Sequence, residues 1–187
     1  MQEKLEKRKE LAANWFAELR DQICDNFEIL EDSHQGFFAD RPSGRFEKKT
    51  WQRDESNSNQ NKASGMTGGG EFAVMKGRVF EKVGVNISTV FGTLSPEFAK
   101  EIPGAEIDHR FWASGISVVA HMQSPLVPAI HMNTRHIVTT KAWFGGGVDL
   151  TPMIANQPDS DFFHSALKEV CSNHDVADYD HFKNWCD

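Results

Sequence analysis

Cysteine is scarce in this sequence and has no paired spacing. Only Cys24, Cys171 and Cys186 occur among 187 residues, far apart, so a disulfide framework is excluded and a reducing compartment is expected. Each thiol is expected to pack rather than react, because a free cysteine behaves mostly as a small buried hydrophobe. Long apolar runs are missing too. Nothing approaches the roughly 18 residues that a membrane span needs. The charged opening MQEKLEKRKE has no apolar core behind it, so neither a secretory signal nor an anchor is expected and the cytoplasm is the default location. Positive charge is in deficit: 20 Lys and Arg face 27 Asp and Glu, a net charge of −7. No nucleic-acid or acidic-membrane partner is therefore expected.

What is present fits one domain with a sizeable core. Over residues 1–30 the apolar positions Ala12, Phe16, Leu19, Ile23, Phe27 and Leu30 recur at steps of three and four, one face of an amphipathic helix. The opposite face carries Glu18, Asp21, Gln22 and Asp25, an acidic surface that suits core covering and not a lipid headgroup layer. Residues 54–69 are polar and hold few apolar side chains, so they are expected to form a flexible loop.

Residues 72–152 read as a sheet. FAVM and RVF flank a Lys-Gly dipeptide, a hairpin signal, and Val83, Val85 and Ile87 continue in alternation. FWASGISVVAH, AIHMNTRHIVTT and WFGGGVDL add further strands. Short connections between successive strands predict an antiparallel meander covered on one face by helices, an α+β fold. Residues 158–187 return to helix: Pro158-Asp159-Ser160 is a start signal, and Phe163, Leu167, Val170 and Cys171 form the expected buried stripe. Phe182, Trp185 and Cys186 are spaced for one more helix, with no Gly, Asn or Pro to stop it.

The chemistry concentrates between Gly115 and Pro152. In a strand, alternate side chains share a face, so His131, Asn133 and Arg135 line one surface while Met132, Thr134 and His136 take the other. Ser117 and His121 repeat that parity on the preceding strand. If the two strands pair across MQSPLVP, all five polar groups face one cleft. Arg offers a planar fork to a carboxylate, and His moves a proton near neutral pH. Gly145, Gly146 and Gly147 mark a bulge or a close approach of a ligand, with Asp149 at the rim. Taken alone, the alternation also fits the solvent face of a half-buried sheet.

The strings HMNTR and WFGGGVDLTP, with GRVFEKVGVNIS upstream and KNWCD at the end, resemble the oxygen-dependent coproporphyrinogen III oxidases of haem biosynthesis. The resemblance implies oxidative decarboxylation of two propionates of coproporphyrinogen III to vinyls, giving protoporphyrinogen IX, with molecular oxygen as co-substrate and no organic cofactor. It implies a catalytic role for His131, Asp149 and Arg135. Ser117, Asn133, Thr134, Arg135, Gly146 and Gly147 would bind substrate. It also implies a divalent metal at His121, His131 and His164, although three His on two elements lack a close-spaced ligand motif. Family members extend further and form homodimers, so the chain is expected to be the N-terminal portion of such an oxidase, its sheet incomplete at the C-terminus. Two other readings stay open: a tetrapyrrole carrier without turnover, and a metal-binding β protein built on His121, His131 and His164.

Overall fold

The computed structural model describes residues 2–53 and 63–187. A six-stranded antiparallel sheet forms in strict sequence order: β1 (Glu47–Arg53), β2 (Ala63–Met75), β3 (Phe80–Leu94), β4 (Arg110–Met122), β5 (Ala129–Val138) and β6 (Ala142–Thr151). Helix α1 (Gln2–Ser33) precedes the sheet, a one-turn α2 (Pro96–Ala99) lies between β3 and β4, and α3 (Gln157–Ser172) and α4 (Tyr179–Cys186) follow. The expected meander and its α+β class are what forms.

One face of the sheet is apolar because alternate residues of β2, β3 and β4 are Ala73 and Met75, Val83 and Val85, and Ile116, Val118 and Ala120, all buried. Helix α1 lays Ala12, Phe16 and Cys24 on that face, with Leu19, Ile23 and Phe27 packed alongside. Each fully buried Val or Phe contributes roughly 1.5–3 kcal/mol of transfer free energy. Cys24 is buried as expected, and burial pushes its thiol up to about 11. Leu30 departs from the expected stripe and is exposed. At that turn Glu31 faces inward instead.

Glu31 fixes the angle between helix and sheet. Its carboxylate is fully buried and accepts backbone N–H bonds from Gly44, Arg78, Val79 and Phe80 at 2.8–3.0 Å. Gly77 has no side chain because a Cβ there would run into that carboxylate. The Arg78 guanidinium returns the contact, donating to the carbonyls of Glu31, Asp32 and Ala39 at 2.6–2.9 Å, which satisfies carbonyls left open at the helix end. One carboxylate and one guanidinium thus tie the β2–β3 hairpin to the C-terminus of α1.

Two expectations are corrected. Residues 63–69, expected within a loop, belong to β2, where Gly68, Gly69 and Gly70 pair with β1 on one side and β3 on the other. Composition misled because glycine is a weak strand former, whereas here its missing Cβ lets backbones close in: Gly68 sits at φ +119 and a Cβ on Gly70 would meet the Ile87 carbonyl. The remainder of that expected loop, residues 54–62, lies outside the described residues. Second, the stripe on α3 is not buried. Phe163, Leu167 and Cys171 are half-buried and Val170 is exposed, because α3 and α4 enclose an open cavity of about 680 Å³ against Phe144, Gly146 and Val148 of β6.

Candidate functional site

The strand register arranges the opposite face of the sheet in rows. One row runs Val119, His131, Asp149 across β4, β5 and β6; the next runs Asn86, Ser117, Asn133, Gly147 from β3 to β6; a third runs Trp51, Gly70, Ser88, Gly115, Arg135, Gly145 across all six strands. Rows are two residues apart along a strand, about 6.7 Å. His131, Asn133 and Arg135 therefore do line one surface. Ser117 stands directly opposite Asn133, and His121 lies two rows further along β4, one beyond the row of His131. Helices α1, α3 and α4 all pack on the other side.

His131 donates from Nδ1 to Oδ1 of Asp149 at 2.8 Å, and the same oxygen accepts from Thr151 Oγ1 at 2.8 Å. Partial burial would raise the Asp149 carboxyl, but the hydrogen bonds from His131 and Thr151 and the charge of His131 hold it below its ordinary value. It is an anion at neutral pH. With Nδ1 donating, the lone pair of neutral His131 lies on Nε2, which is 3.1 Å from Nε2 of His121. Asp149, His131 and His121 form a continuous chain along one edge of the face, in which Asp149 fixes the tautomer that makes His131 a base.

Arg135 donates to Oδ1 of Asn133 and has no carboxylate partner among the described residues. Beside it a shallow trough of about 340 Å³ is lined by Asn86, Ser88, Gly115, Ser117, Asn133 and Arg135. The glycines of β6 divide by parity. Gly147 points to this face, where a Cβ would meet nothing within 4 Å; Gly146 points to the helix side, where a Cβ would meet the Asn133 carbonyl. Thr134 shares the parity of Gly146, with its hydroxyl donating to the Gly145 carbonyl at 3.4 Å. Any contact of Thr134 or Gly146 with a ligand in the trough runs through backbone.

His164 is on the far side of the sheet. It lines the cavity under α3 and α4, where its Nδ1 is 2.9 Å from the Tyr179 hydroxyl. The expected trio His121, His131 and His164 is thus divided by the sheet, because β5 parity and the helix-side packing of α3 send them to opposite faces. No group of three or more metal-ligating side chains forms among the described residues. The two imidazoles that do meet, with Nε2 atoms 3.1 Å apart, are fewer ligands than the three or four protein side chains a zinc-type centre uses.

The sequence matches the family described as Coproporphyrinogen III oxidase over residues 12–187. The chain belongs to the coproporphyrinogen III oxidase family. Curated relatives agree: the oxygen-dependent coproporphyrinogen-III oxidases of Rickettsia rickettsii (strain Sheila Smith) and Rickettsia akari (strain Hartford) are each 50% identical over 179 residues, 96% of this chain and 60% of the relative. That of Rickettsia bellii (strain RML369-C) is 49% identical over 181 residues, 97% of this chain and 61% of the relative. The chain spans about three fifths of the length of the curated relatives it matches.

Membership was legible in HMNTR and WFGGGVDLTP; the trough was less so. Trp51 and Phe72 line its far end, and strand β1, which carries Trp51, was not anticipated. EKKTWQR lacks apolar alternation because β1 is an edge strand whose lysines face solvent. The parity of Trp51 with Lys49 and Arg53 was the available signal. No helix among the described residues is long and apolar enough to cross a membrane.

Proposed function

We propose that the open sheet face binds coproporphyrinogen III and serves its oxygen-dependent oxidative decarboxylation to protoporphyrinogen IX. The observation that carries this is the Asp149–His131 pair standing on the same face as an Arg135 without a carboxylate partner among the described residues, where Gly145 and Gly147 leave the backbone bare. A propionate needs a fork of donors, which Arg135 supplies, and Ser117 and Asn133 add neutral hydrogen-bonding groups in the adjacent row. Pyrrole N–H groups need an anion or a base, which Asp149 and Nε2 of His131 supply.

For each propionate the balance is one carboxylate, one O2 and one proton giving a vinyl group, CO2 and hydrogen peroxide. Two electrons and one proton leave the side chain and, with the proton taken up, reduce oxygen to peroxide. His131 takes a ring proton at Nε2 and returns it to the ring as the vinyl forms, and Asp149 steadies both the imidazolium and the positive charge that develops on the ring as electrons depart. Oxygen is the co-substrate of this reading, and no organic cofactor enters it. The reading extends to a cytoplasmic, homodimeric protein at the full length of its relatives.

Oxygen uptake by residues 1–187 with coproporphyrinogen III, alongside titration with coproporphyrin, tests it. Uptake with CO2 release supports the oxidase. Tight porphyrin binding without uptake makes the chain a tetrapyrrole carrier, and absence of both overturns the reading.

A further inference from the structure

The trough does not end at Ser117, Asn133 and Arg135. Its opposite end, on β1 and β2, is aromatic: Trp51 and Phe72 are stacked with ring centroids 5.9 Å apart and planes 20° from parallel, and Phe72 is 44% exposed although it is a large apolar side chain. Between them and Arg135 the floor is made by Gly70, Ser88 and Gly115, which are cross-strand neighbours in the row that joins Trp51 to Arg135. The indole lies across this floor, since its Nε1 is 3.0 Å from the place a Cβ on Gly70 would occupy. Four strand spacings, about 19 Å, separate the backbones of Trp51 and Arg135.

Two further observations mark this end as built for a ligand. Trp51 Nε1 and Asn86 Oδ1 are buried with no hydrogen-bond partner among the described residues. A donor and an acceptor left unpaired at the same trough each cost free energy that a purely structural surface has no reason to bear. The guanidinium of Arg53 also sits 5.9 Å from the Trp51 ring, so this end joins a π face to a cation, as the other end offers a cation and amides. A flat, weakly polar ring with carboxylates on its rim matches both ends, because rings stack on aromatic faces and their carboxylates pair with guanidinium groups.

We propose that Trp51 and Phe72 form a stacking platform that carries one edge of the tetrapyrrole ring while Arg135 holds a carboxylate at the other, so that β1 and β2 belong to the binding site. This rests on the reading of the face as a tetrapyrrole site, and extends it to residues that the chemical motifs do not contain. The platform acts on binding and orientation. It touches no reacting proton.

The test is titration of residues 1–187 with coproporphyrin, read by porphyrin absorbance and by tryptophan fluorescence, for the wild type, Trp51→Leu, Phe72→Leu, Arg135→Lys and, as a control on the helix side, Phe182→Leu. Leu keeps a strand-compatible apolar side chain and removes the π face, and at Trp51 the indole N–H with it. Trp51→Leu and Phe72→Leu should each weaken binding about tenfold, about 1.4 kcal/mol, with Trp51→Leu also removing a quenched fluorescence component and Phe182→Leu binding as the wild type does. Wild-type affinity in both leucine variants, with binding lost in Arg135→Lys, would overturn the platform and leave the proposed function standing. A wild type that binds no porphyrin would overturn both. Should Trp51→Leu unfold, Phe72→Leu and the fluorescence quench of the wild type carry the test.

Discussion

Nδ1 of His131 donates to the carboxylate of Asp149 at 2.8 Å, across the β5–β6 pair in which the two residues are direct cross-strand partners. The bond exists because antiparallel register sets the two residues opposite each other and puts both side chains on one face. Asp149→Asn removes the anion that fixes the His131 tautomer and replaces an acceptor by an amide that can flip. Turnover should fall about a hundredfold or more in an active chain, with coproporphyrin affinity less affected, since the interaction strengthens as charge develops. Asp149 also accepts from Thr151 Oγ1 two residues along the same strand, a structural role. A lower melting temperature with normal turnover per folded molecule would reduce Asp149 to that role.

Arg135→Lys keeps the charge and loses the planar fork. Coproporphyrin affinity should drop about ten- to a hundredfold, the worth of one charge-assisted hydrogen bond. The melting temperature should not move, because the guanidinium is exposed and its one hydrogen-bond partner among the described residues is the neighbouring Asn133. Unchanged affinity would place Arg135 outside the site.

The glycines of β6 offer a contrast that depends on face alone. Gly147→Ala adds a methyl where nothing lies within 4 Å, whereas Gly146→Ala drives one into the Asn133 carbonyl. The first should leave the melting temperature unchanged and weaken porphyrin binding; the second should lower the melting temperature by several degrees. Equal melting temperatures, or normal ligand affinity in Gly147→Ala, would refute the assignment of faces.

Glu31→Gln tests the hinge between α1 and the β2–β3 hairpin. The amide keeps one acceptor oxygen and turns an N–H2 group towards backbone donors, so about 3 kcal/mol of stability should be lost in a denaturant titration. Burial alone would raise the Glu31 carboxyl, but the N–H groups of Gly44, Phe80, Arg78 and Val79 outweigh it and hold it below its ordinary value. The folded chain therefore binds this proton less readily than the unfolded chain. Its contribution is fully present above an unfolded value near 4.5 and is lost as pH falls through the lower folded value. Wild type should lose stability in that acid window and Glu31→Gln should lose less.

Much of this architecture could be read from local pattern. The α1 stripe from Ala12 to Phe27, the alternation of Val83, Val85 and Ile87, and the shared face of His131, Asn133 and Arg135 follow from the fixed periods of helix and strand, which one residue's neighbours in sequence determine. Period misled at Leu30, and composition misled around Gly68. Leu30 fits the stripe yet is exposed, since Glu31 takes the inward position to meet the hairpin's N–H groups. The stretch around Gly68 reads as loop yet is strand, since pairing on both sides outweighs a poor local propensity.

The sequence by itself determined the family, the meander and which residues of each strand share a face, because these depend on motif and on a period of two. Only the tertiary structure decided which elements meet across that face. Register, fixed by the whole sheet, set Asp149 against His131, aligned Trp51 with Arg135 across four strand spacings and placed His164 beneath the sheet, away from His121. No local pattern carries that information, since a slip of one residue would preserve every strand and exchange every face.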